Sequence, residues 1–326
     1  MKGPSIVCLG GGTGLSTLLR GLKRITQDVT AIVTVSDDGG GSGVLRDELG
    51  MPPPGDIRNC MQALSNAEPT LEMLMGYRFD SGSLAGQSFG NLFLAAINGI
   101  SESFDKAVVR MGEVLSITGR VLPVTTDDVR MWAEFEDGGV VAGESKIAAA
   151  KAERESRIKR VGLTPQDAKA LPECLQAIGS AEMIVLGPGS LYTSIIPNLL
   201  VEGIPEAIAR SDALRLFICN VMTQPGETEG YSVSEHIREV FTHAGGKLFD
   251  YCLVNSEPAT RVVLERYKRQ GAEPLREDEG AVRELGVELL RAPIAGAHQN
   301  LARHDPDKLA RKILQIFHEK APTKVY

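Results

Sequence analysis

Apolar residues fall into short runs, each ending in glycine or polar residues. The first run, Ser5-Ile6-Val7-Cys8-Leu9, stops at Gly10-Gly11-Gly12-Thr13-Gly14-Leu15. Leu15, Leu18, Leu19, Leu22 and Ile25 then repeat at helical spacing, and Ala31–Val35 forms a second run. Short apolar runs bounded by turn signals predict buried strands, and the i, i+3, i+4, i+7 spacing predicts a helix. Met51-Pro52-Pro53-Pro54-Gly55 breaks any helix. Asp56 follows as a candidate N-cap for a helix through Leu64. Residues 70–117 are expected to be helical, including Leu92–Ile97 and Val108–Leu115. Residues 129–135 alternate and meet Asp137-Gly138-Gly139 before a second run from Val140, which predicts a β-hairpin. Residues 148–162 are charged without an apolar stripe and predict a solvated helix or connector. Strand-like runs resume at Met183–Leu186, Leu214–Cys219 and Tyr251–Val254.

This pattern predicts an α/β fold: a Rossmann-like parallel sheet flanked by helices, with a helical insertion and a β-hairpin. One domain is expected over residues 1–326, with the insertion at about 50–160 between two α/β halves. In open parallel sheets, ligands bind beyond the carboxyl ends of the strands. The loops there are therefore the candidate site: Gly10–Leu15, Ser36-Asp37-Asp38, Gly187-Pro188-Gly189-Ser190 and Asn220.

The chemistry of these loops is that of anion binding. Glycines let backbone N–H groups approach a phosphate, and a helix N-terminus adds its positive dipole end. Thr13, Ser16 and Thr17 are candidate hydroxyl donors. The dinucleotide fingerprint is met only in part, because Leu15 or Thr17 stands where its last glycine belongs, and no Walker lysine follows. Asp37 and Asp38 end a strand. They suit ribose hydroxyls, Mg²⁺ shared with Asp56, or simple capping of the glycine turn. Gly187–Ser190 is either a second anion cradle or a structural turn; Leu191 and Tyr192 exclude a serine-hydrolase elbow. Ser88 and Asn91 are divided between substrate contact and helix capping, and the polar stretch Asn220–Thr228 between ligand loop and connector. His236 and His243 lie seven residues apart, off the zinc spacing, and are expected at the surface.

Composition narrows the partners. The net charge is −7, which argues against nucleic acid. Five scattered cysteines, without CxxC, predict reduced, buried thiols in a cytoplasmic protein. No apolar run approaches a membrane span, and glycines interrupt any leader-like start.

Taken together, Cys8–Leu15, Ser36–Gly43, Pro54–Asn59, Phe89-Gly90-Asn91, Gly187–Tyr192 and Asn220–Thr228 resemble the CofD/YvcK-like family almost end to end. Within it they are similar to the YvcK branch, bacterial cytoplasmic proteins needed for normal cell shape on gluconeogenic carbon sources. That resemblance implies a nucleotide-type ligand, UDP-N-acetylglucosamine or a related nucleotide or dinucleotide. It implies that Tyr267 and Arg303 are nucleotide-sugar contacts. A homo-oligomer and protein partners in envelope synthesis are also expected. The sister CofD branch transfers a phospholactyl group with Mg²⁺ held by aspartates, and Asp38 and Asp56 are the nearest equivalents here. Asp37–Ser42 and Gly55–Arg58 depart from that branch's pattern, so the binding protein is the leading expectation and the transferase the alternative.

Overall fold

Every residue of β1 (Ile6–Gly10) and β2 (Val29–Val33) is buried, as in strands covered on both faces. The computed structural model describes residues 3–154, 156–298 and 301–321. After β2 come β3 (Arg120–Pro123), β4 (Arg130–Phe135), β5 (Val140–Ala142) and β6 (Ile158–Thr164). Then follow β7 (Met183–Leu186), β8 (Leu214–Ile218), β9 (Tyr251–Asn255), β10 (Glu288–Ala292), β11 (Ala295–His298) and β12 (Leu301–His304). Seven strands form one parallel sheet in the order β10-β9-β8-β7-β1-β2-β3. The chain steps outward from β1 through β2 to β3, then returns to the other side of β1 at β7. The order therefore reverses between β1 and β7, and such a switch point opens a crevice.

Alternation along β1 splits the core into two layers. Ile6 and Cys8 face Leu15, Leu18, Leu19 and Leu22 of helix Gly12–Leu22 and Leu309, Ile313 and Ile316 of helix Pro306–Lys320. Val7 and Leu9 face the opposite layer, with Ile237 and Val240 of helix Val233–Ala244 and the inner side of a three-stranded antiparallel sheet, β5-β4-β6. Residues 50–160 thus supply a strand of the main sheet as well as helices and the hairpin.

Several elements differ from expectation. β3 and β10 are the edge strands; β3 is a short buried run, Val121-Leu122-Pro123, whereas β10 exposes Glu288 and Arg291, which breaks the apolar pattern. The segment 148–162, expected as a solvated helix or connector, holds the end of helix Glu144–Ala152 and then enters β6. Its pairing with β4 shifts register at Glu134/Phe135, so Lys159 and Arg160 are consecutively exposed and both pair with Glu134. A bulge breaks period-two alternation, which is why this strand read as a charge run. The helical stretch 70–117 is interrupted at residues 77–88 by a 3₁₀ turn and a bridge between Arg78 and Ser88. Asp56 is not an N-cap; Pro54 holds that position and Asp56 lies in the first turn of helix Gly55–Leu64.

The two histidines are not at the surface. His236 is buried, its Nδ1 2.8 Å from the Ser232 carbonyl, and His243 Nε2 accepts the Val161 N–H at 3.1 Å. Their helix is wedged under the antiparallel sheet, and burial lowers both imidazole pKa values. All five cysteines are free and buried. Among the described residues, no helix is long and apolar enough to cross a membrane.

Candidate functional site

Helix Gly12–Leu22 begins immediately beyond β1. Gly12 has φ 61, a conformation glycine adopts without steric cost, and Gly11 at the N-cap brings no side-chain cap. The first amides of a helix have no partner within it. The Asp56 carboxylate lies against this end of the helix, where a Gly11 side chain would stand, and the Gly12 N–H favours its charged form. The amides of Thr13 and Gly14 follow at the same open end. The hydroxyls of Ser16 and Thr17, candidates for ligand contact, instead donate to the Thr13 carbonyl at 3.0 and 2.8 Å. Ser16 is buried, whereas Thr17 still lines the cavity described below.

The second glycine loop leaves β7 beside the first. Gly187 has φ 78 and its N–H donates to the Leu9 carbonyl at 2.9 Å. Asn220, at the end of β8, pins the loop in both directions. Its Oδ1 accepts the Gly189 N–H at 3.3 Å and its Nδ2 donates to the Gly189 carbonyl at 2.8 Å. Gln224 bonds the Ser190 hydroxyl through its side-chain amide. Behind them, fully buried Glu227 accepts the Tyr192 N–H and the Thr193 hydroxyl, each at 3.2 Å, and Gln224 Nε2 at 2.9 Å. The two loops touch at Gly14, which packs on Pro188 and Gly189.

A third wall comes from far along the chain. Tyr267 on helix Arg261–Arg269 and Arg303 on β12 face the two loops across a cavity of about 380 Å³. The cavity is lined by Gly11–Gly14, Pro188–Ser190 and Asn220–Gln224, with Thr17, Ser194 and His304 completing it. Residues as far apart in sequence as Gly11 and His304 thus share one chamber. Ser194 and His304 were not singled out by sequence. Ser194 lies just past the glycine loop, whereas His304 carries no local signal beyond adjacency to Arg303.

Other candidates lie outside this chamber. Leu15 is wholly buried in the core, and Gly10 sits behind the loop, its carbonyl accepting Asn198 Nδ2 at 3.1 Å. Ser36 Oγ donates to Glu144 Oε2 at 2.8 Å. Asp37 Oδ1 accepts the Gly39 N–H and Asp38 Oδ1 the Ser145 N–H, both at 2.8 Å. Both therefore act as loop caps, and they point differently: Asp37 lies beside Asp56, while Asp38 turns to Gly143 and Ser145. Asn91 accepts Arg58 Nε at 3.2 Å, and neither Ser88 nor Asn91 lines the chamber. Asp38→Ala is accordingly expected to cost about 1 kcal/mol in urea denaturation and to leave ligand affinity unchanged.

Asp38 and Asp56, the residues that would hold Mg²⁺ in the transferase reading, face different neighbours. The first accepts the Ser145 N–H of a neighbouring loop, and the second lies beside Gly11 at the start of the first helix. Among the described residues, no group of three or more His, Cys, Asp or Glu side chains is arranged to hold a metal ion.

Buried carboxylates support the cradle from behind. Burial pushes Asp56 up to about 6 and Glu227 to about 7, against ordinary values of 3.8 and 4.5. Burial and the nearby Asp37 raise Glu144 as well. Between pH 4 and 6 for Asp56, and between 4.5 and 7 for Glu227, the folded protein keeps a proton that the unfolded chain loses. Their contribution to stability is therefore full below that window and is lost as pH rises through it. Asp56→Asn or Glu227→Gln should flatten this fall by on the order of 3 kcal/mol, read from urea unfolding between pH 4 and 8.

Fold and site together define a Rossmann-like α/β protein with paired glycine loops at its switch point. The chain belongs to the CofD family: the family model described as 2-phospho-L-lactate transferase CofD matches residues 6–295. A gluconeogenesis factor of Bacillus subtilis is 47% identical over 317 residues, covering 97% of this chain and 99% of its own length. A gluconeogenesis factor of Halalkalibacterium halodurans is 48% identical over 316 residues, covering 97% of each chain. A crystal structure of a Bacillus halodurans protein superposes with TM-score 0.92 at 47% identity, covering 96% of this chain and 100% of that one.

Proposed function

We propose that this protein is a cytoplasmic binding protein of the gluconeogenesis-factor type. Its crevice takes a nucleotide sugar of the UDP-N-acetylglucosamine kind, and occupancy reports carbon status to the machinery of cell shape. One observation carries this: a single chamber combines two backbone cradles at a strand switch point with Arg303 and Tyr267 opposite them. Backbone N–H groups and a helix N-terminus favour a diphosphate, and the guanidinium fork adds bidentate hydrogen bonds. Tyr267 offers a ring face to the ligand. Regulation follows when free and partner-bound forms differ in ligand affinity.

A thermal-shift panel tests this. UDP-N-acetylglucosamine at 100 times its Kd should stabilise the protein by roughly 2.7 kcal/mol, with or without Mg²⁺. No shift with any nucleotide sugar contradicts the proposal. The family match also favours a second reading, transfer from a nucleotide-activated phospholactate. Turnover of such a donor with a deazaflavin alcohol, lost in Asp56→Ala, would establish that activity instead.

A further inference from the structure

Helix Arg261–Arg269 has two dissimilar sides. Val263, Leu264 and Tyr267 fall within one arc of it; Val263 is buried and Tyr267 lines the chamber. Arg261, Val262, Glu265, Arg266, Lys268 and Arg269 fill the rest of the circumference, and all six are exposed. The outer side thus carries four cations and one carboxylate, Glu265, which pairs with Arg261 at 3.0 Å. The chain as a whole has 42 acidic side chains against 35 Lys and Arg, so this positive charge is a local concentration.

Helix stability does not account for it. Cations in the last turn complement the helix dipole, which gives Lys268 and Arg269 a local role. Arg261 stands at the opposite end, where a cation is unfavourable, and the first turn holds no acidic residue. Packing does not account for it either, since only the inner arc meets the rest of the molecule.

We infer that the outer side of this helix is the docking surface for an acidic face of a partner protein. This rests on the reading above, in which occupancy of the chamber is reported to a partner. A ligand on Tyr267 and a partner on the cations would touch opposite sides of one helix. Clustered positive charge steers an acidic patch into contact and fixes its register. An anionic membrane is the poorer match. Interfacial helices insert an apolar face, and the outer side here has one apolar residue, Val262.

The test uses the full chain and a fluorescein-labelled polyglutamate peptide, with binding read by anisotropy. Wild-type affinity should fall several-fold between about 50 and 300 mM NaCl, as screening demands. The double variant Lys268→Glu, Arg269→Glu should lose about ten-fold or more, with thermal unfolding within about 3 °C of wild type. Arg261→Gln relieves the conflict with the dipole, yet should weaken the peptide about three-fold, a loss that a folding defect would not produce. The control is Lys106→Glu, Arg110→Glu, on the exposed side of helix Phe104–Val114 beside β3, at the other edge of the sheet. It changes the net charge equally and should stay within about two-fold of wild type, because charges beyond a Debye length are screened. No peptide binding by the wild type overturns the inference, and so does an equal loss in the control. Binding to phosphatidylserine vesicles that the double variant loses, with peptide affinity unchanged, overturns it in favour of a lipid surface. A wild type that binds the peptide but no nucleotide sugar overturns the parent proposal and leaves the docking surface standing.

Discussion

Gly14→Ala is expected to abolish measurable nucleotide binding and to destabilise the fold by about 1–3 kcal/mol. The added Cβ would collide with the Pro188 carbonyl oxygen and lie 2.7 Å from its carbon and 2.8 Å from Gly189 Cα. All of these are backbone atoms, so no side chain can rotate away. Nor can the loop retreat freely, since Leu9 holds Gly187 and Asn220 holds Gly189. The substitution must prise apart the two surfaces that together form the cradle. Gly99→Ala is the control. It lies at the end of helix Phe89–Gly99 with nothing within 4 Å, and should be neutral or slightly stabilising. Urea denaturation and titration with UDP measure both effects in each variant.

Arg303→Ala should leave stability within about 0.5 kcal/mol of wild type, because the residue is exposed. It should weaken diphosphate-bearing ligands by roughly 10–100-fold, the scale of a lost charge-assisted hydrogen-bond pair. Arg303→Lys should recover only part of this, since an ammonium keeps the charge but not the planar fork. Arg303 sits opposite Gly296 in the β11–β12 hairpin. That hairpin is rooted at Asn255, whose Oδ1 accepts the N–H groups of Ile294 and Ala295 at 3.2 and 3.0 Å. The side chain therefore reaches the chamber from a fixed base. Equal affinity of wild type and Arg303→Ala for UDP would show that the hairpin is not part of the site.

Central strands were legible because burial on both faces leaves an apolar run, unbroken in β1 and β7 and interrupted only at Thr30 in β2 and Arg215 in β8. The edge strand β10 and the bulged β6 were not, since their exposed or doubled polar positions disguise the period. In the site, the glycine loops and Asn220 were legible from their place after apolar strands. Tyr267 and Arg303 had no such local signal; only resemblance to the family pointed to them, and the fold places both against the loops. Asp37 and Asp38, adjacent in sequence and alike in residue type, are separated by the structure: the first caps the Gly39 N–H, the second the Ser145 N–H. The buried carboxylates of Glu144 and Glu227 gave no warning, because nothing local marks a glutamate that will be enclosed.

The most direct measurement is a crystal structure of the protein soaked with UDP-N-acetylglucosamine. The account predicts the diphosphate between Gly12–Gly14 and Gly187–Ser190, within hydrogen-bond distance of Arg303. A diphosphate seated instead against Asp37, Asp56 and Arg58, with the glycine-loop chamber empty, would contradict it.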